Sequence, residues 1–160
     1  MILKSIIERN LIDEKENMEF TMALDIARLI HRLVSDRYEE ALEIYLETLQ
    51  DEEVKKVIIE SKEKYLQQEN DDEDYAYERL VEVVIMAYMD TANILAYKKG
   101  DIEMGIDYIK KSIQILDSIN VRLFYTSKAE VYFTYWKMLE KSQKDHPYEY
   151  LYDEIGKCLR

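Results

Sequence analysis

Hydrophobic residues recur at helical spacing along most of the chain, and the clearest stripe lies between residues 102 and 116. Its members follow one another at steps of four, three, four and three: Ile102, Ile106, Ile109, Ile113 and Leu116. This spacing places them on one face of an amphipathic helix. Gly105 and Ser112 lie on or beside the stripe. These small residues are expected to let a second helix approach closely.

The residues before this stripe predict a tight turn between two helices. Lys98 and Lys99 place positive charge where a helix C-terminus favours it. Gly100 can adopt the positive φ that commonly ends a helix, and the Asp101 carboxylate can cap the helix that follows. The segment 96–116 is therefore expected to form a helical hairpin.

The same periodicity predicts about eight antiparallel helices. Their expected ranges are 2–11, 17–34, 36–49, 51–68, 75–99, 102–116, 121–144 and 148–159. Asp36 and Glu39 have the spacing of a capping box at the start of the third. The helix 75–99 is the most apolar and is expected to be central. The helix 121–144 carries more large side chains than one buried stripe can hold, so part of its aromatic area is expected at the surface or against a partner.

Composition supports an all-α class. The 160 residues are 48% hydrophobic, with three Gly and one Pro, which leaves little turn chemistry for a sheet. This length predicts a single domain, 1–160. The acidic run near 69–74 is the one obvious linker, and it is expected to be a solvated loop.

Two stretches resemble the tetratricopeptide repeat, a helical hairpin with a tyrosine-rich first helix, Gly-Asp at the turn and small residues in the second helix. In the better match, 89–116, the residues that carry it are Tyr97, Gly100, Asp101, Gly105, Ile106, Tyr108 and Ser112. In the match at 35–49 they are Tyr38, Ala41, Leu42 and Tyr45. The resemblance implies hairpins stacked as a right-handed superhelix or, given the spacing of the two matches, an irregular bundle.

Charge and cysteine content restrict the environment and the partners. A formal charge of −12 argues against nucleic acid as a ligand. The main positive cluster is Arg28, Arg32 and Arg37, for which pairing with neighbouring carboxylates is favoured over an anion site. The single cysteine, Cys158, indicates a reducing compartment, and the charged N-terminal stretch has no signal or membrane pattern. A cytoplasmic location without membrane contact is expected.

Catalytic patterns are weak in this sequence. Glu39, Glu40 and Glu43, together with Glu69-x-x-Asp72 or Asp90, could hold Mg²⁺ against a nucleotide phosphate. That arrangement is similar to all-α nucleotide pyrophosphohydrolases of the MazG kind. In a chain with 34 acidic residues such spacings arise by chance, so solvated helix faces are favoured. No catalytic residue, metal or cofactor is predicted.

The tetratricopeptide resemblance implies a protein or peptide binding module whose first helices line the partner surface. It places Asp90, Ile94 and Tyr97 on that surface. Arg122 and Tyr125 on the next long helix are further candidates. A homodimer formed through the aromatic residues of 124–136 is the structural alternative.

Overall fold

Every element of the computed structural model is a helix in the residues that the structure describes, which are 16–67, 74–118 and 125–142. The six α-helices are α1 (Glu16–Leu33), α2 (Tyr38–Thr48), α3 (Asp51–Gln67), α4 (Asp74–Asn93), α5 (Ile102–Ser118) and α6 (Tyr125–Ser142). A 3₁₀ turn (Ser35–Arg37) precedes α2, and a π-helix (Ile94–Lys98) continues α4. The all-α class is confirmed. The predicted helices 2–11 and 148–159 lie outside the described residues, so eight helices and a superhelical stack stay predictions.

The chain divides into two compact units, Met1–Val84 and Ile85–Arg160. The boundary lies inside α4, so one continuous helix contributes residues to both units. Whether the chain behaves as the single predicted domain stays a prediction. The acidic run near 69–74 lies almost wholly outside the described residues.

In the first unit α1 packs against α2. The apolar face predicted for α2 is buried at Ala41, Leu42 and Tyr45. The capping box predicted for Asp36 and Glu39 is wrong. The chain enters α2 through a 3₁₀ turn, and the residue at the N-cap is Arg37, which makes no side-chain cap bond.

Arg37 instead pairs with the carboxylate one turn later. Its Nε donates to Glu40 Oε1 at 2.7 Å, and a second guanidinium nitrogen donates to the other oxygen. The hydrogen bond from Arg37 lowers the pKa of Glu40. For this arginine, pairing with a carboxylate is therefore the interpretation that the structure supports.

The second unit contains the predicted hairpin. The predicted roles of Gly100, Asp101 and Gly105 are confirmed. Gly100 has a φ of +74°. Asp101 Oδ1 accepts a hydrogen bond from the Met104 N–H at 3.1 Å, as expected for a helix cap. Gly105 is buried against the preceding helix, where an added Cβ would lie 2.7 Å from Ala96 Cβ and 2.9 Å from the Ala92 carbonyl oxygen. The absence of a side chain at this position is what allows the two helices to approach.

The last turn before Gly100 differs from the plain α-helix that the pattern predicts. The Lys99 N–H donates to the Ile94 carbonyl at 3.0 Å, and the Asp101 N–H donates to the Leu95 carbonyl at 2.9 Å. The first bond spans five residues, one more than in an α-helix, and the second spans six residues across the turn. The π-helix buries Ile94 and the two residues after it, and the chain then emerges at Tyr97.

One helical stretch in the described part of the chain, Tyr77–Lys98, is long and apolar enough to cross a membrane by length and composition alone. Its apolar window is 78% buried inside the protein. A buried core helix passes the same test, and burial agrees with the central position predicted for this helix.

Candidate partner-binding surface

Large apolar side chains are exposed in two groups and at two isolated positions of the described chain. The full set is Leu29, Leu33, Val34, Ile59, Tyr97, Met104 and Phe133. The first three form an aliphatic group at the end of α1 and the start of the 3₁₀ turn. Tyr97 and Phe133 form the second group; both are aromatic and belong to the second unit. The side chains next to their rings are a tryptophan and two lysines.

On α6 an exposed phenylalanine pairs with a tryptophan. The Phe133 side chain is 55% exposed, and its ring centroid lies 5.7 Å from that of Trp136, at a tilt of 39°. This separation lies in the range seen for interacting aromatic pairs. Together the two rings form a continuous aromatic surface one helical turn long.

Two lysine ammonium groups lie over aromatic rings at the same surface. Lys137 Nζ is 5.3 Å from the centre of the Phe133 ring, and Lys141 Nζ is 4.7 Å from the centre of the Tyr97 ring. Both distances are within the range of cation–π attraction. The second contact joins α6 to the end of the π-helix. We refer to these five residues, Tyr97, Phe133, Trp136, Lys137 and Lys141, as the aromatic–lysine patch.

The sequence of α6 explains why this face is turned outward. Val131, Tyr135 and Met138 are buried and follow helical steps of four and three. Phe133 comes two residues after Val131, which is about 200° around the helix, so it points away from the buried stripe. Lys137 and Lys141 follow Phe133 at steps of four and stay on the outer side.

The patch is locally basic although the chain is acidic. The exposed charged residues of 97–99 and 133–141 are Lys98, Lys99, Lys137, Lys141 and Glu140. The chain as a whole has 22 basic and 34 acidic residues. Burial of part of its ring raises the pKa of the Tyr97 phenol above its ordinary value. The phenol is therefore neutral near pH 7, and it can both donate and accept a hydrogen bond at the edge of the patch.

Of the five residues that the sequence pointed to, Tyr97 lies at this surface, with 41% exposure. Asp90 and Ile94 are 5% and 0% exposed, so neither side chain offers appreciable contact area to a partner. Tyr125 is the first residue of α6, but its side chain is not among those described. Arg122 lies outside the described residues.

The sequence prediction included Phe133 and Trp136 only within the aromatic stretch 124–136 of the homodimer alternative, and it did not single out the two lysines. The surface aromatic area expected on this helix is confirmed by Phe133. These residues can be identified from their positions around the helix. Once Val131, Tyr135 and Met138 are assigned to the buried side, Phe133 is placed on the opposite side, away from this stripe. Counting aromatic residues along the helix does not supply that information.

A magnesium site finds no support in the described residues. Among them, no group of three or more His, Cys, Asp or Glu side chains is arranged to hold a metal ion. The predicted partners Glu69 and Asp72 lie outside the described part of the chain, and Asp90 is buried. Glu40, from the α2 carboxylate set, is paired with Arg37.

Comparisons of the chain with protein-family models, with curated proteins and with solved structures found no match. The described residues are all-helical and include an exposed face that is aromatic and basic.

Proposed function

We propose that this chain is a protein or peptide binding module built from tetratricopeptide-like hairpins, and that the aromatic–lysine patch is its partner surface. The observation that carries the proposal is the exposed Phe133 ring beside Trp136, with lysines over Phe133 and Tyr97. The proposal moves the partner surface from the helix 75–99, where the resemblance placed most of it, to α6 and the end of the π-helix.

The physical argument is that the buried stripe of α6 in the described residues does not include the Phe133 ring. The buried stripe of α6 is complete without Phe133, whose exposed area gains hydrophobic free energy only when another surface covers it. Aromatic side chains also supply much contact area for few rotatable bonds. For this reason Tyr and Trp are common among residues that dominate binding energy.

Selection of peptides from a displayed random library on the immobilised chain tests the proposal. We expect enriched peptides to lose binding to a Phe133→Ser variant and to retain it on a Leu33→Ser variant. Leu33 is the matched control, because it is 76% exposed and lies on α1, outside the patch. Peptides that bind both variants as tightly as they bind the wild-type chain would show that they use another surface.

Self-association is the second candidate, because the exposed Phe133 ring is equally available to a second copy of the chain. Sedimentation velocity over a concentration series separates the two. A binding module is expected to keep one sedimentation coefficient over the series. A coefficient that rises with concentration in the wild-type chain, but not in Phe133→Ser, would assign the patch to a homodimer instead.

A further inference from the structure

We infer that the segment bound by the aromatic–lysine patch is acidic and carries at least one aromatic or large aliphatic anchor. This inference rests on the proposed binding function of the patch and adds the chemistry of the partner. It concerns an internal stretch of a polypeptide, because carboxylate side chains suffice to meet the two ammonium groups and no chain terminus is needed.

The first step is the position of the positive charges. Lys137 and Lys141 are exposed, and their ammonium groups lie 5.3 Å and 4.7 Å from the centres of the Phe133 and Tyr97 rings. Contact with a ring restricts where each ammonium group can move, so less conformational freedom is lost when a carboxylate binds it. The patch therefore presents two partly positioned cations beside apolar surface.

The second step is the contrast with the rest of the chain. The net charge of −12 opposes an acidic ligand at long range. At physiological ionic strength charges are screened beyond about 8 Å, so a ligand in contact with the patch responds mainly to the nearest charges. The exposed charged residues nearest in sequence to Tyr97 and to residues 133–141 are four lysines, Lys98, Lys99, Lys137 and Lys141, and two glutamates, Glu130 and Glu140. The local balance favours an acidic segment.

The third step limits the number of charges that the ligand presents. Glu130 is exposed one turn before Phe133, and Glu140 is exposed one turn after Lys137. A polyanion such as a nucleic acid would bring phosphates against these carboxylates as well as against the lysines. A short peptide can instead place a few carboxylates at Lys137 and Lys141 and lay its apolar anchor on Phe133 and Trp136.

The test is fluorescence anisotropy with four labelled probes and the full chain. The first probe is a peptide of Glu and Asp with interspersed Trp and Leu, acetylated and amidated at its ends. In the second every acidic residue is Lys, and in the third Trp and Leu are Ser. The fourth probe is a single-stranded DNA of similar length.

Variants of the protein then assign the charge effect to the patch. The test variant is Lys137→Gln combined with Lys141→Gln. The control is Lys110→Gln combined with Lys128→Gln, which changes the net charge equally. Lys110 is exposed on α5, and Lys128 lies five residues before Phe133, about 140° away around α6.

We expect the first probe to bind at least about tenfold more tightly than each of the other three, because it alone matches both charge and apolar surface. The test variant should weaken its binding by roughly fivefold, as for two exposed ion pairs, and the control should leave it unchanged. Equal or tighter binding of the lysine peptide or the DNA would overturn the acidic partner.

The failure of this inference and the failure of the proposed function give different results. If library selection yields basic or neutral peptides that need Phe133, the acidic partner is wrong and the binding module stands. If no selected peptide needs Phe133 and the acidic probe does not bind, both are wrong.

Discussion

At the scale of single residues, Gly105 gives the sharpest test of the hairpin. We expect Gly105→Ala to lower the free energy of unfolding by about 1 kcal/mol. Overpacking against Ala96 Cβ, at 2.7 Å, and the Ala92 carbonyl costs about 1 to 3 kcal/mol and outweighs the higher helix propensity of alanine, which is about 1 kcal/mol. Urea denaturation measures the difference. Gln114→Ala, at an exposed position of the same helix, is the control and should change stability little. A Gly105→Ala protein as stable as wild type would show that the close approach of the two helices at Gly105 does not limit stability.

Tyr97 and Tyr45 separate a binding tyrosine from a core tyrosine. Tyr97 is 41% exposed and Tyr45 is fully buried. We expect Tyr97→Ala to leave the melting temperature within a few degrees and to weaken peptide binding by about 1 to 2 kcal/mol, the range of a moderate hot spot. Tyr45→Ala should lower the free energy of unfolding by about 3 to 5 kcal/mol, as for large buried aromatic residues. Thermal melts of both variants make the comparison. A loss of ten degrees or more in Tyr97→Ala would show that this ring serves the fold.

At the scale of elements, the position of α5 on the preceding helix is fixed by a buried hydroxyl as well as by Gly105. Ser112 is fully buried, and its Oγ donates to the Ile85 carbonyl at 2.9 Å. We expect Ser112→Ala to lower the free energy of unfolding by about 1 kcal/mol, the net contribution of a typical hydrogen bond. Ser118 is the matched control, since its Oγ bonds within its own helix to the Ile115 carbonyl at an exposed site. Ser118→Ala should be close to neutral. Equal changes in the free energy of unfolding of the two variants would mean that the hydrogen bond to the Ile85 carbonyl does not contribute to stability.

Local pattern was sufficient to predict the helices and the turn at Gly100, because both follow from residues within one or two turns of each other. The π-helix could not be predicted. Its hydrogen bonds differ from those of an α-helix by one residue in register, and no residue type in 94–98 requires that register. It is set by packing, since Ile94, Leu95 and Ala96 are all buried together.

The candidate site was predictable only in part for a related reason. Asp90 and Ile94 were placed by analogy with a family whose first helices present one open face. In this chain residues 84–92 of α4 are buried without interruption, so this part of the helix is buried all round. A helix that is apolar all round signals burial rather than a binding face. The pairing of Lys141 with Tyr97 joins elements more than forty residues apart, and such a contact has no local signature.

At the scale of the whole molecule, we expect repulsion among like charges to exceed the attraction of exposed ion pairs. Ion pairs among the described residues include Arg37–Glu40, Lys55–Glu52 and Arg79–Asp25, all with exposed side chains. The last is at the limit of contact, with 4.0 Å between nitrogen and oxygen. Exposed pairs contribute about 0 to 1 kcal/mol each. Against them stands a charge of −12, which opposes the compact state.

We therefore expect moderate NaCl to raise the thermal stability of this chain. Screening weakens the repulsion among many carboxylates more than it weakens ion pairs in contact, because the repulsion acts over longer distances. A gain of about 1 kcal/mol would raise the melting temperature by about 2 to 4 degrees for a chain of this size. The control is Glu43→Gln combined with Asp107→Asn, two exposed carboxylates, which changes the net charge from −12 to −10. This variant should melt higher than wild type at low salt and respond less to NaCl, since part of its repulsion is already removed. A melting temperature that falls with NaCl, or a variant that melts lower than wild type without salt, would show that attractive pairs dominate the charge balance.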